Sequence, residues 1–376
     1  MAATLSLCNG SRSVSPITIV SEYIGEDGLN EEQLSRIWNQ NVERFSASEF
    51  VDWLLNEKII NFPKSVLEKN GIPLFTKHIY PLLLDIASVD AERAFIHKLA
   101  NRVQEAGHFI AIIPKFTSAA RSQSRMYQLR FEERMGHIIE IVLDSKNIHR
   151  MQDSSKTWYL KSTSFHTQLL HELIHVNHSL SPGFKYKVGK DRSYRFDDRE
   201  EEETIKKENA FARGRREMER VSHKSLDSEE AFLKRTNMQL LHDAMALGAE
   251  GTVKWLLQNS AQALVIDSPE RLQFTENTLK ECALAYCKVY PPKEAMQTPT
   301  DISFYEDILA HKNKALEFLT DHLLAEQQTV KAEFLLQSLT KLAPEKGRED
   351  ALNAISKIAD SVKKYSVATV DEDVQI

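Results

Sequence analysis

Cysteine is almost missing from this chain, with three in 376 residues. Cys8, Cys282 and Cys287 form neither a thiolate metal pair nor the dense, even pattern of a disulfide framework. Any bound metal is therefore held without sulfur, and the chain suits a reducing compartment. Long apolar runs are missing as well. No stretch reaches the roughly 18 consecutive apolar residues of a membrane span. Met1 to Thr18, rich in Ser and short apolar residues, lacks the basic start and continuous apolar run of a signal peptide, and reads as a flexible lead. No lipidation box is present. An excess of positive charge is also lacking: the net charge of −6 gives no general nucleic-acid signature. Lys and Arg do cluster between Lys185 and Arg220, where a solvated face accounts for them. What remains is a globular chain, 42% hydrophobic, long enough for two domains with cores of their own.

Against that background one string stands out. His171-Glu172-Leu173-Ile174-His175 is an HExxH motif. On an α-helix, residues four apart lie about 40° from one another around the axis, so His171 and His175 point the same way and can share one tetrahedral Zn2+. Glu172 leans beside them. It is poorly placed to ligate, but it can accept a proton from an attacking water and pass it to a leaving amine. The setting favours a helix. Thr163 or Ser164 can cap its start, Leu169, Leu170, Leu173 and Ile174 form an apolar stripe, and Pro182-Gly183 ends the segment. Such a helix buries its stripe and opens the metal face into a cleft.

Upstream, Leu34, Ile37, Trp38, Phe45, Phe50, Trp53 and Leu54 recur at three and four between Asn30 and about Lys58, and a second such pattern runs from Leu74 to Ala106. Both read as helices with core-facing aromatics. His108 to Ile113, Met126 to Phe131 and His137 to Leu143 read as strands, so three strands precede the metal helix. A protease of this kind needs an edge strand that holds extended substrate by main-chain hydrogen bonds. Gly136 to Asp144 is the candidate, with an interior strand as the alternative.

Two histidines leave a tetrahedral site short of one protein ligand. Acids follow Arg199 in a run, Glu200, Glu201, Glu202 and Glu203, opening a charged helical stretch that continues to about Arg220. Glu201, 26 residues after His175, falls in the spacing range of the gluzincin metalloproteases, whose third ligand is a Glu on a second helix. With Thr204 it resembles the Glu-x-x-Ser/Thr pattern around that ligand. Glu200 and Glu202 are nearly as good, and a solvated helix start is the plain alternative for the whole run. His178, a turn beyond His175, is not favoured as a ligand.

In these residues the chain resembles the HExxH zinc metalloprotease effectors of the NleD and HopH type, which bacterial pathogens inject into host cells. The resemblance spans roughly Phe109 to Arg220. It is carried by the strand before the helix, Leu169 to His175, the run Glu200, Glu201, Thr204, Ile205, and the Glu208-Asn209 pair followed by Arg213. It implies a zinc endopeptidase secreted by a bacterium into the host cell cytoplasm, acting on a host signalling protein such as a MAP kinase activation loop. Tyr186 and Tyr194, in the basic, aromatic linker after Pro182, can supply an oxyanion-stabilising hydroxyl or simply pack.

After Ser228 the chain turns helical. Gln239 to Ala261 looks like one ankyrin repeat, with Leu241, His242 and Ala244, then Gly248, Val253 and Leu256-Leu257 at the repeat's positions and His242 closing its tight turn. A single repeat cannot bury its own face. Helices around Asn277 to Val289, Phe304 to Glu326, Val330 to Leu342 and Glu349 to Lys364 continue it as an α-solenoid or as an ordinary bundle. The expected whole is α+β: a flexible lead over 1–19, a zincin-like metalloprotease domain over 20–225, an all-α ankyrin-like domain over 226–366 that offers a protein-binding surface, and a disordered tail over 367–376. Expected partners are a host protein substrate, with no nucleic acid and no membrane span. The rival reading is an ankyrin-type host-protein-binding effector whose HExxH is an inactive remnant.

Overall fold

The computed structural model describes residues 45–61, 75–116, 123–131, 134–143, 146–181, 199–223, 225–259, 269–288, 299–325, 329–346 and 348–372. The chain divides into two compact units, Met1–Ile112 with Tyr127–Gly136, and Ile113–Met126 with His137–Ile376. It is a mostly helical α+β protein, with two small sheets among the described residues.

The first described element of the first unit is helix α1 (Ala47–Asn56), fixed by a capping box in which the Ser46 hydroxyl accepts from the Glu49 amide and the Glu49 carboxylate accepts from the Ser46 amide. That pairing satisfies two otherwise orphaned donors. Phe50, Val51, Trp53 and Leu54 form its buried face, while the part of the expected first helix before residue 45 lies outside the described residues. The pattern from Leu74 to Ala106 is not one helix. A π-helical turn (Phe75–Ile79) leads into α2 (Tyr80–Ala87) and then α3 (Asp90–Glu105). Pro81, without an amide hydrogen, suits only the first turn of a helix. At the other end of α2 the Ser88 hydroxyl donates to Asp85 O at 2.6 Å and Val89 turns extended, which stops the run.

Strands β1 (His108–Lys115), β2 (Gln123–Phe131) and β3 (Arg134–Val142) form one sheet in the order β1-β3-β2. This corrects the expectation for Gly136 to Asp144. A central strand spends both rows of backbone groups on its neighbours, so it cannot also template a substrate.

The second unit adds two strands that the sequence did not reveal. β4 (Asn147–Gln152) and β5 (Trp158–Ser162) form an antiparallel hairpin with Gln152 opposite Trp158 and Ile148 opposite Ser162. Asp153 builds the turn, its Oδ1 accepting from the amides of Ser155 at 2.9 Å and Thr157 at 3.0 Å. Helices α4 (Phe165–Ser179) and α5 (Arg199–Gly214) follow and pack on each other. Two short strands, β6 (Glu219–Arg220) and β7 (Asp227–Ser228), then both pair with β4.

Beyond α6 (Glu229–Leu233) come α7 (Asn237–Leu247), α8 (Glu250–Asn259), α9 (Pro269–Cys287), α10 (Pro299–Ala325), α11 (Thr329–Glu345), a 3-10 turn (Glu349–Ala351) and α12 (Leu352–Glu372). They stack in two layers: α7 packs on α9 and α9 on α11, while α8 packs on α10 and α10 on α12. Gly248 joins α7 to α8 in the left-handed region, φ 67°, where a Cβ would also lie only 3.0 Å from Ile308 O. His242 does not close the tight turn. It lies within α7, whose start is set by Thr236 and Gln239 in a second capping box. With no glycine or proline in its span, α12 runs on to Glu372 through most of the segment expected to be a disordered tail, and 373–376 lie outside the described residues.

The residues on either side of 225/226 belong to one unit. Ile148 and Leu160 of the hairpin share an apolar cluster with Leu241, Leu279, Leu316, Leu335 and Ile358 of the helices. A hairpin extended only by two two-residue strands is marginal unless its apolar face is covered, and here the helices cover it. The seam is close. A Cβ on Gly251 would meet the Tyr159 ring at 2.4 Å, and the Leu160 amide donates to Thr252 Oγ1 at 2.9 Å. Cys282 and Cys287 are free, buried thiols in this core, and burial pushes the Cys282 thiol up to about 12. No helix among the described residues is long and apolar enough to cross a membrane.

Candidate metal centre

Ser164 starts the motif helix α4, its hydroxyl accepting from the Thr167 amide at 3.1 Å, a cap that contributes about 1 kcal/mol. Leu169, Leu170, Leu173 and Ile174 are fully buried as one face of α4. His171 and Glu172 are buried too, so the motif sits inside the protein rather than on an open surface.

Helix α5 supplies the carboxylates. Glu200, Thr204 and Glu208, spaced at four, lie on its buried face, where helical periodicity aligns them against α4. His175 Nδ1 lies 2.6 Å from Glu200 Oε2, and His171 Nδ1 lies 2.7 Å from Glu208 Oε2. Burial pushes Glu200 upward, but the bonds from His175 and His178 prevail and hold its pKa at about 2. Burial also opposes ionisation of Glu208, and Arg220 with His171 outweighs it, keeping the carboxyl below its ordinary range. Ionised carboxylates have no proton to give, so each imidazole donates through Nδ1 and, once its ring is neutral, presents the lone pair of Nε2.

Those two lone pairs converge. His171 Nε2 and His175 Nε2 are 3.0 Å apart, with Glu201 Oε2 3.5 Å from the first and Glu201 Oε1 3.5 Å from the second. A tetrahedral zinc site with bonds of about 2.0 Å has donors about 3.3 Å apart. The spacing fits. Two facing lone pairs repel unless a cation or proton lies between them, so the donor set itself calls for positive charge. Burial pulls the His171 pKa down, yet bonds from Glu201 and Glu208 raise it to about 10. Glu201, despite burial, is drawn down to about 2 by His171, then by the charges of His175 and His223.

No family model, no curated protein and no solved structure matches this chain.

Of the three acids left open by the spacing, Glu201 is the one whose carboxylate faces the Nε2 atoms. Glu200 sits behind His175, and also accepts from His178 Nδ1 at 2.8 Å and Thr204 Oγ1 at 3.2 Å. Glu202 turns to Lys206 at the surface, 2.9 Å away. Tyr186 and Tyr194 lie outside the described residues. Three contributors were not assigned a role from the sequence. Glu208 orients His171, Arg220 donates through Nη1 to Glu208 Oε2 at 3.0 Å, and His223 Nε2 lies 3.3 Å from Glu201 Oε2. A helical wheel through Glu200 carries the eye to Glu208. Nothing in the sequence ties Arg220 or His223 to the motif, because they arrive on β6 and the bend after it. Asn209 pins that bend, donating to Arg220 O at 2.9 Å and accepting from Arg220 N at 2.8 Å.

Proposed function

We propose that the chain is a zinc-dependent endopeptidase in which His171, His175 and Glu201 hold the metal and Glu172 moves the protons. One observation carries the reading: two Nε2 atoms and one carboxylate face each other at donor spacing, with each imidazole oriented from behind by an ionised glutamate. A histidine that ligates metal nearly always donates its other ring N–H in this way, which fixes tautomer and ring angle together. A surface histidine pair has no reason to be built so.

Bound zinc supplies Lewis acidity for a scissile carbonyl and brings water within reach of ionisation near neutral pH. The chain's own residues do the rest. Glu172, buried next to His171, takes the proton from the attacking water and returns it to the leaving amine. Glu208 and Glu200 keep the imidazoles from rotating away. The apolar face of α4 is buried in the core and anchors the helix that carries both imidazoles.

The same reading makes the region preceding α6 zincin-like, with strands before the HExxH helix and a second helix bringing the third ligand. The two-layer order of α7 to α12 supports a solenoid of helical pairs, a form that recognises other proteins through extended surfaces. A host signalling protein, delivered to by secretion, is the proposed substrate. The test joins metal and chemistry: elemental analysis of purified full-length protein should find one zinc per chain, and mass spectrometry of host-cell lysate should find new N-termini only with the zinc-loaded form. Stoichiometric zinc with no new termini would instead favour a binding protein with an inactive motif.

A further inference from the structure

Three imidazoles, not two, surround Glu201. His223 Nε2 lies 3.3 Å from Glu201 Oε2, the same oxygen that lies 3.5 Å from His171 Nε2. The rings of His171 and His223 are stacked nearly parallel, 5.9 Å between centroids and 10° between planes. Donor atoms of His171, Glu201 and His223 all lie within 4.8 Å of one another. The two separations to Glu201 Oε2, 3.3 and 3.5 Å, are close to the edge of about 3.3 Å between donors on one tetrahedral zinc.

The position of His223 is held by the same residue that braces the metal helix. Arg220 Nη2 donates to His223 O at 2.9 Å while its Nη1 donates to Glu208 Oε2 at 3.0 Å. One guanidinium thus links the carboxylate behind His171 to the backbone of His223. Yet His223 differs from the other donors in two ways. It stands on an irregular bend rather than a helix, and its side chain is 26% exposed against 7% for His171 and 13% for His175.

Resting on the zinc reading above, we propose that His223 is a fourth protein ligand and the displaceable one. With it bound, zinc would have four protein ligands, as in a structural site. The form is closed. Catalysis then needs His223 to yield its position to water or substrate, while the three helix-borne ligands stay. An imidazole on a bend at the rim can swing away without disturbing either helix, whereas His171 and His175 are each tied through Nδ1 to a carboxylate.

The test uses the full chain, zinc-loaded and cobalt-loaded. X-ray absorption should count three imidazoles on zinc in the parent and two in His223→Ala, and competition with a chromophoric chelator should show affinity about 10- to 100-fold weaker in the variant. Azide should alter the visible spectrum of the cobalt-loaded variant at concentrations that leave the parent unchanged. His223→Gln, closer in size, repeats each measurement should the alanine protein fail to fold. Two imidazoles in the parent, with affinity unchanged in the variants, would overturn the ligand role and leave the zinc reading standing. Three imidazoles in parent and variants alike would overturn it as well. A parent that binds no zinc would remove both readings together.

Discussion

Two buried imidazole–carboxylate pairs in this protein are nearly the same locally and differ in everything around them. His171 Nδ1 lies 2.7 Å from Glu208, and His311 Nδ1 lies 2.6 Å from Glu250. All four residues are buried. Beyond Nδ1 they part. The Nε2 of His171 faces His175 and Glu201, whereas the His311 ring lies flat against Trp158, 3.9 Å between centroids and 22° between planes. Among the described residues the clusters of donors close enough to share a metal are His171, Glu201 and His223, and His175, Glu200 and Glu201, and His311 is in neither. A His–Glu bond is therefore not itself a mark of a metal site. What sets the first pair apart is the convergence of the opposite nitrogens, whereas the second pair is a pin between α8 and α10 with Trp158 of the hairpin stacked on its ring.

The largest expected difference is in metal content. His171→Ala and His175→Ala should each abolish stoichiometric zinc in elemental analysis, since each removes half of the facing pair. His311→Ala should keep all of it and instead lower the unfolding free energy by about 1–3 kcal/mol, because Glu250 is left buried without its donor. Zinc loss in His311→Ala would erase the distinction between the pairs.

Next in size is the chemical step. Glu172→Gln keeps nearly the same shape and removes only the basic carboxylate, so zinc and the unfolding midpoint should match the parent. Turnover of a cleaved host peptide should fall about 10²- to 10⁴-fold, the share that general acid–base catalysis supplies. Parent-level cleavage by this variant would rule out Glu172 as the proton carrier.

How much of this could be read in the sequence follows from the range of each interaction. The helix around His171 was legible, since its cap at Ser164 and its stripe Leu169, Leu170, Leu173 and Ile174 are local signals. Glu201 was legible only as one of three acids, because choosing among them needs the rotation of α5 about its axis. The β4–β5 hairpin was not legible: His149, Arg150 and Gln152 interrupt the alternation that marks a half-buried strand. His149 and Arg150 are buried all the same, and Arg150 finds its acceptor at Leu247 O, 3.1 Å away and 97 positions along the chain. Arg220 and His223 were invisible for the same reason. The edge-strand assignment of Gly136 to Asp144 failed because sheet order depends on pairing between distant segments, which one strand's composition does not encode.

A smaller effect should separate the two glutamates. Glu208→Gln retains an acceptor for His171 but loses the charge that fixes its tautomer, so zinc affinity should fall about 10- to 100-fold by chelator competition. Glu250→Gln should leave that affinity unchanged. Equal losses in both would mean that the whole unit, not the convergent site, sets affinity.

The smallest signal is a single proton, and its sign follows from His171. In chelator-stripped protein the folded-state pKa of about 10 lies above the ordinary 6.5, so the folded state holds this proton more tightly than the unfolded one. Its contribution to stability is complete below pH 6.5 and disappears as pH rises through about 10. Zinc needs the deprotonated ring, so it must displace that proton across the same window. Calorimetry at pH 7.5 in buffers of different ionisation enthalpy should therefore report about one proton released per zinc bound. The thermal midpoint should fall with rising pH in stripped protein, and the gain on adding zinc should widen from pH 6.5 towards 9. His311→Ala should leave the proton count unchanged, since its ring takes no part in the exchange. A count near zero in the parent would mean that His171 is already neutral before metal arrives, and that lone-pair repulsion at the facing nitrogens is relieved in some other way.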